Sequence, residues 1–448
     1  IYANVSVDGK PDTFEKGWPP EITYSKLKPY YDAVGRMLNV QKLPANQLTA
    51  RLKLLKEGAE KLGHGDKFEQ LDLAVTFDPA WNYEQPDPFN PAKSKKFINA
   101  FGREQGTCVH LGNCDIGCDV GAKNTLDLNY LAQAENRGAE VRALHLVRAV
   151  SPEAGPAQGG YRVHFDRLTG GRRDPGSESA RIVVISAGSL GSTELLLRCR
   201  DERQTLPDVS RRLGRNWSSN GDFLTLAVHS GRAVRPTRGP TISGAVDFLG
   251  PRALDGKHMF IEDGGFPDLF RTWVDERRGG PRSRLRRALL ARALVRAAAR
   301  GDRLSEEIMP WFAQSRDAAD GVLRLRRRWA VFGRTKLHLD WDVRASEPTV
   351  NAVVAMHRRM AEATGGRPLV PLTWKLSKDL VTPHPLGGCN MGASAANGVV
   401  DHKGEVFGYR NLFVIDGAIV PEALGLNPSK TIAALAERAA GMIVKEGR

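Results

Sequence analysis

The sequence predicts an α/β fold: a parallel strand–turn–helix unit joined to a second, α+β unit built on an antiparallel sheet. Three stretches carry that reading. Arg181-Ile182-Val183-Val184-Ile185-Ser186 is a β-branched run that ends in Ala187-Gly188-Ser189-Leu190-Gly191 and turns into a helix beginning near Glu194. Asn411-Leu412-Phe413-Val414-Ile415 is a second short buried run, closed by Asp416-Gly417 and followed by a long amphipathic helix. Between them, residues 223–383 hold Phe223 to Val228, Ile242 to Phe248, His258 to Glu262 and Lys336 to Val343. These strand-like stretches are spaced without the strand–helix alternation of a parallel sheet.

At 448 residues the chain is long enough for two domains. No run of 18 apolar residues suggests a membrane span. The formal charge of +14 fits an acidic partner, an anionic surface or a basic proteome, and composition does not choose among them. The five cysteines, Cys108, Cys114, Cys118, Cys199 and Cys389, are an odd number and make no disulfide framework. Cys108, Cys114 and Cys118 lack the Cys-x2-Cys pairing and the fourth ligand of a zinc site, so no metal is expected. A reduced, cytoplasmic protein with incidental thiols is the favoured reading. The chain opens at Ile1 in the middle of a pattern, so a signal peptide is neither recognised nor excluded.

In order along the chain, Leu27, Tyr30, Tyr31, Val34, Met37 and Leu38 mark one helix, and Leu48, Leu52, Leu55, Ala59 and Leu62 a second. Leu71, Leu73, Val75 and Phe77 alternate as a strand with one buried face. Val141 to Val150 and Tyr161 to Phe165 read as strands, and residues 168–179 as a polar, glycine-rich turn. Asn216-Trp217 to Asn220-Gly221 marks the passage toward the second unit. Residues 281–303 are arginine-rich. Arg292, Arg296 and Arg300 share one helical face, and Leu290, Leu294, Val295 and Ala298 another. Arg284 and Arg287 interrupt the apolar face, which favours a solvated lid helix, with weak contact to an anionic membrane as the second reading. No nucleic-acid recognition motif is present, and no nucleic-acid partner is expected.

The C-terminal sixty-odd residues carry the chemistry. His384 lies between Pro383 and Pro385 and before Gly387-Gly388, a stiff loop that fixes an imidazole where a ligand can reach it. A neutral histidine takes a hydroxyl proton near neutral pH. Taken alone, it reads more readily as a surface-loop histidine. In the final helix Ile432, Leu435, Ala436, Ala439, Met442 and Ile443 recur at helical spacing. Pro428 suits its first position and Asn427 the N-cap, so the free N–H groups and positive dipole end face whatever precedes Asn427. That segment is also what any capped helix after a strand looks like.

In this order and spacing, HPLGGC at 384–389, YRNLFVIDGAIVP at 409–421 and GLNPSKTIAALAER at 425–438 resemble the C-terminal end of the glucose–methanol–choline (GMC) flavin oxidoreductases. The similarity is strongest to their cholesterol-oxidase-like branch and runs through most of the chain. It implies a discontinuous, Rossmann-like FAD-binding domain from residues 1–12, 123–222 and 396–448. A substrate-binding domain would come from 13–122 and 223–395. The strand–GxGxxG–helix that normally opens these proteins does not occur in the sequence, so the chain as written is expected to hold FAD poorly and to be inactive alone.

The resemblance also implies roles. His384 takes or holds the proton of a CH–OH group while hydride passes to flavin N5, and Asn427 completes the polar pair facing the carbinol. Glu262 aligns with an acid that the cholesterol-oxidase branch places over the steroid; the alternative is a solvated strand-end glutamate. The cofactor would be contacted by Asn4, in the segment beneath the flavin, by the backbone at Val147 near the adenine, and by Gly188. Asp416 and Gly417 would meet the ribityl–phosphate part, and Asn427 and Pro428 the ring. The expected function is FAD-dependent oxidation of an alcohol, a sterol or other hydrophobic alcohol, with oxygen or another carrier as electron acceptor. The rival readings are a dehydrogenase that uses a non-oxygen acceptor and a flavin-less, non-catalytic binding module.

Overall fold

The structure, a computed structural model, describes residues 4–153, 160–267, 306–327, 335–371, 374, 378 and 380–447, so the arginine-rich stretch 281–303 lies outside the described residues. In chain order the helices are α1 (Tyr24–Met37), α2 (Ala50–Lys61), α3 (Tyr130–Asn136), α4 (Gly188–Leu197), α5 (Glu347–Ala363) and α6 (Ser429–Lys445). The principal strands are β1 (Phe68–Gln70), β2 (His145–Pro152), β3 (Tyr161–Thr169), β4 (Arg172–Ala180), β5 (Val183–Ile185), β6 (Phe223–Val228) and β7 (Gly244–Phe248). They continue with β8 (Met259–Asp263), β9 (Ile308–Ser315), β10 (Val322–Arg327), β11 (Thr335–Asp340), β12 (Arg367–Leu369) and β13 (Leu412–Val414). Among the described residues no helix is long and apolar enough to cross a membrane.

Helices α1 and α2 follow their local sequence. Thr23 and Thr49 cap them, accepting from the Lys26 and Leu52 N–H groups at 3.3 and 3.1 Å. The apolar positions at helical spacing, Leu27, Tyr31 and Val34 on α1 and Leu52, Leu55 and Ala59 on α2, are buried.

Six strands form an antiparallel sheet in the order β12-β6-β9-β8-β7-β1. Its two faces have different tasks because side chains alternate along a strand. Phe223, Val246, Phe248, Met259, Ile261, Met309, Trp311 and Ala313 pack with Leu54 and Leu55 of α2 and Val350, Val353 and Met360 of α5. The residues between them point the other way. There the register places Leu224 opposite Phe312, Phe312 opposite Glu262, and Glu262 opposite Ala245, a row across four strands that holds one acid among apolar residues.

The second unit contains the parallel pair, β13 on β5, with Leu412 beside Val183 and Val414 beside Ile185. All three residues of β13 are buried, whereas Val184 on β5 is 47% exposed. Beside the pair lies the meander β2-β3-β4. The expected α/β class with an antiparallel second sheet is what the chain adopts.

Four local expectations are corrected. Leu71 to Phe77 is not one strand: the Leu71 N–H donates to Ser243, Ala74 to Asn4 and Thr76 to Ala122, so its backbone bonds go to three separate segments. Of residues 168–179 only Gly170-Gly171, both with positive φ, form the turn. Leu168 and Thr169 end β3 and residues 172–179 belong to β4, paired with β3 from Thr169↔Arg172 to Tyr161↔Ala180, because a solvated edge needs backbone pairing and not apolar side chains. Strand β2 begins at His145 and not at Val141. Helix α4 begins at Gly188, six residues before Glu194. Asp416 accepts the Gly188 N–H at 2.8 Å and the Ser192 hydroxyl accepts the Ala187 N–H at 2.9 Å, so a tertiary contact carries the helix back over its glycine turn.

Candidate active site

The loop of His384 is stiffened by more than its prolines. Leu386 exchanges both backbone hydrogen bonds with Ser218 at 3.0 Å, and the Gly387 N–H donates to Gly417 at 2.9 Å. A Cβ on Gly387, whose φ is +78°, would lie 2.1 Å from the Asn216 carbonyl oxygen, so only glycine lets the loop close on that segment.

His384 Nδ1 lies 2.9 Å and 3.0 Å from the two carboxylate oxygens of Asp222, which is fully buried. The same carboxylate accepts the Thr382 hydroxyl at 2.5 Å and the His384 N–H at 3.2 Å. Nε2 has no hydrogen-bond partner among the described residues, and the side chain keeps 21% of its surface exposed. An ionised carboxylate only accepts, so Nδ1 carries the proton and Nε2 presents a lone pair.

Asp222 ends the turn Ser219-Asn220-Gly221-Asp222, and Asn220 turns the other way. Its Oδ1 accepts the Leu424 and Gly425 N–H groups at 3.0 and 2.9 Å, and its Nδ2 donates to the Leu426 carbonyl at 2.9 Å. One turn therefore fixes His384 on one side and the backbone before Asn427 on the other.

Asn427 does not cap α6. Pro428 occupies the N-cap position and makes no side-chain cap bond, while Asn427 Oδ1 is buried without a partner. The Asn427 side chain is thus left for something other than the helix, and the first turn of α6 has no side-chain acceptor at its N-terminus. Helix ends of this kind bind negative charge.

Glu262 is fully buried. Its Oε2 accepts from Gln314 Nε2 at 2.9 Å, and its Oε1 has no partner. Burial raises its pKa well above the ordinary carboxylate range; Gln314 and Asn427 oppose the shift, and Asp263 and Asp222 add to it. Asn427 thus lies near the acid without being in hydrogen-bond geometry to Oε1. Phe312, opposite Glu262 in the sheet, has its ring 6.2 Å from the His384 ring. The structure brings His384, Asn427 and Glu262 to one place, with Asp222 behind the imidazole.

The other candidates fall into two groups. Asp416, expected at a cofactor, is occupied by the protein itself. It accepts the Gly188 N–H, the Ser192 hydroxyl and the Ala418 N–H at 2.8, 2.5 and 2.7 Å, and so ties the end of β13 to the start of α4. Burial raises its pKa against those three bonds. Asn4 is likewise engaged at both ends by the backbone of Ile242, and its amide presents no free polar atom. Gly417 packs beneath Ile432 and Leu386. Gly188 has φ +78° and nothing within 4 Å of where a Cβ would be, which leaves open space at the head of α4. Val147 is half-exposed at a bulge of β2. These features fit a bound dinucleotide at two places: the orphaned Asn427 oxygen with the uncapped α6, and the open approach to Gly188.

The cysteines are all free thiols. Burial pushes Cys114 up to about 11 and raises Cys108 as well, so neither is a nucleophile at neutral pH. Among the described residues no group of three or more His, Cys, Asp or Glu side chains is placed to hold a metal ion.

Asp222, Asn220 and Thr382 escape sequence reasoning. Asn220-Gly221 signals a turn, and nothing in the spacing signals that its aspartate meets a histidine 162 residues later.

Residues 319–436 match the family described as GMC oxidoreductase. A cholesterol oxidase of Mycobacterium tuberculosis is 30% identical over 483 residues, covering 100% of this chain and 77% of that protein. A cholesterol oxidase of Acinetobacter baumannii is 29% identical over 477 residues, covering 99% and 79%. Among solved structures, an FAD-dependent oxidoreductase from Chaetomium thermophilum aligns over 100% of this chain and 84% of its own, with a TM-score of 0.58 at 13% identity.

Proposed function

Because the chain belongs to the GMC oxidoreductases, in their cholesterol-oxidase-like branch, and is therefore an oxidoreductase, we propose that it oxidises the CH–OH group of a hydrophobic alcohol, a sterol first among them, with FAD as cofactor. The observation that carries this reading is the constellation itself. An imidazole with a bare Nε2 stands beside Phe312 and a buried acid, next to an amide oxygen with no protein partner.

Each residue has a task that follows from its surroundings. Nε2 of His384 accepts the substrate's hydroxyl proton, and the Asp222 carboxyl group sits on Nδ1 behind the ring. Asn427 offers an unpaired amide oxygen beside the uncapped start of α6, where the cofactor's ring would sit. FAD, when bound there, supplies the two-electron acceptor. Leu224, Phe312 and Ala245 line up as an apolar row beside the acid, a surface that suits a large hydrophobic substrate. Glu262 is held neutral by burial and so can hydrogen-bond a ligand as a donor without placing a second negative charge near Asp222.

The test is anaerobic mixing of the FAD-loaded protein with a 3β-hydroxysterol, a long-chain primary alcohol and a short alcohol. The hydrophobic alcohols are expected to bleach the flavin absorbance. His384→Ala should keep bound flavin and slow the bleaching about 10²- to 10⁴-fold, the usual worth of a general base. No bleaching by any of the alcohols, or an unimpaired His384→Ala, refutes the reading. Admitting oxygen after reduction then separates an oxidase, which recolours at once, from a dehydrogenase that needs a carrier.

A further inference from the structure

We infer that Asp222 is a positioning residue for this reaction: its carboxylate holds His384 as the Nδ1–H tautomer, so that Nε2 is the nitrogen offered to the substrate, and it balances the cation that forms when the proton arrives. The inference rests on His384 being the base.

Burial makes the case. A carboxylate with no exposed surface is costly unless paired and hydrogen-bonded. Among the described residues the ion-pair partner of Asp222 is His384. Both carboxylate oxygens lie within 3.0 Å of Nδ1, and two further donors, the Thr382 hydroxyl and the His384 N–H, reach Oδ2. Every one of these contacts favours the ionised acid and a protonated Nδ1.

The turn that carries Asp222 is built to keep it there. Asn220 and Gly221 are both left-handed, with φ of 56° and 61°. Asp317 accepts the Ser218 hydroxyl, the Ser219 N–H and the Ser219 hydroxyl at 2.7, 2.8 and 2.8 Å, which locks the residues before the turn. Asn220 ties the same turn to the backbone at 424–426. The acid cannot swing away from the imidazole without disturbing the approach to Asn427.

The proton step balances locally. The substrate O–H bond breaks, its proton joins Nε2, the electron pair stays on oxygen, and the new imidazolium faces an existing carboxylate. Among the described residues, ionisable groups in electrostatic range of the pair include Asp115, which feels His384, and Glu262, which feels Asp222.

The experiment is ¹⁵N NMR of the His384 ring in protein labelled at histidine, together with the pH profile of kcat/KM. In the wild type Nδ1 is expected to carry the proton and Nε2 to be bare. Asp222→Asn replaces an acceptor with a group that can donate to Nδ1. The ring should flip to Nε2–H, kcat should fall about 10²- to 10⁴-fold, and the acidic limb of the profile should move to lower pH. Thr382→Val removes one donor from the carboxylate and makes it a stronger acceptor, so the acidic limb should move the opposite way, to higher pH. A residue that only supported the fold would not give opposite signs. A wild-type ring protonated at Nε2, or an Asp222→Asn protein with unchanged tautomer and kcat, overturns the inference. If Asp222→Asn does not fold, the wild-type spectrum and the direction of the Thr382→Val shift decide. The tautomer is read without substrate or turnover, so it tests Asp222 separately from His384→Ala, which tests the base.

Discussion

Replacing Gly221 with alanine tests whether one turn holds both sides of the site. Its φ is +61°, a left-handed conformation that costs an L-residue roughly 1–2 kcal/mol. The added Cβ would lie 2.1 Å from Ser315 Oγ and 2.3 Å from the Ser315 carbonyl oxygen. The hydroxyl can rotate away, but the carbonyl belongs to the last residue of β9 and must move by about an ångström to reach ordinary contact. Overpacking of that kind costs about 1–3 kcal/mol. The two contributions together come to about 2–5 kcal/mol, a large share of the roughly 5–15 kcal/mol that holds a domain folded. Gly231→Ala is the control. Its φ is +79° and nothing lies within 4 Å, so it should lose only the conformational part. Urea melts of the two variants isolate the overlap. Because Asn220 and Asp222 flank the substitution, turnover per folded molecule should also fall about 10²-fold in Gly221→Ala, the scale of an ångström's misplacement, and stay unchanged in Gly231→Ala. Equal melting of the two variants, or a Gly221→Ala protein with normal turnover, would refute the claim that this turn is clamped against Ser315 and aims the site.

Two other substitutions probe the buried polar groups. Glu262 is held protonated by burial in the folded protein, whereas the unfolded chain ionises near 4.5; the folded state binds the extra proton, so stability falls as pH rises above that value toward the raised folded pKa, by about 1.4 kcal/mol per pH unit across that window. Glu262→Gln does not titrate, and its melting temperature should gain on the wild type as pH rises above the ordinary glutamate range; a constant gap would argue that the acid is ionised where it stands. Asn427→Leu should show no loss of the roughly 1 kcal/mol expected of a missing helix cap, because its oxygen is unpaired in the fold. It should nonetheless slow flavin reduction by alcohols. A clear destabilisation by denaturant melt would return Asn427 to a capping role.

Much of the fold is legible in the residues because it rests on local physics. The 3.6-residue spacing of α1 and α2 holds as read, and so do the apolar runs of β5 and β13; the caps Thr23 and Thr49 are equally local, though the spacing alone did not mark them. Alternation along β6, β7 and β8 is similarly local and places Glu262 on the face away from the helices. The stiff loop of His384 is legible too, since proline and glycine restrict or free φ wherever they occur. One boundary went astray because a distant group supplied the missing hydrogen bond. Asp416 starts α4 early in this way, whereas at α6 the helix simply begins one residue later than expected, with Pro428 and not Asn427 at its N-cap and no side-chain bond there.

By itself the sequence determined the periods of α1 and α2, the apolar runs of β5 and β13, and a histidine poised in a rigid loop. These depend on residues within a few positions of one another. Only the tertiary structure decided that Asp222, remote in the chain, stands behind that histidine, that Asn427 is left unpaired, and that Asp416 and Asn4 are consumed by the scaffold. The reason is physical. A side chain's periodicity is set by its own backbone, but whether its polar atoms are satisfied depends on which segments packing brings within about 3 Å.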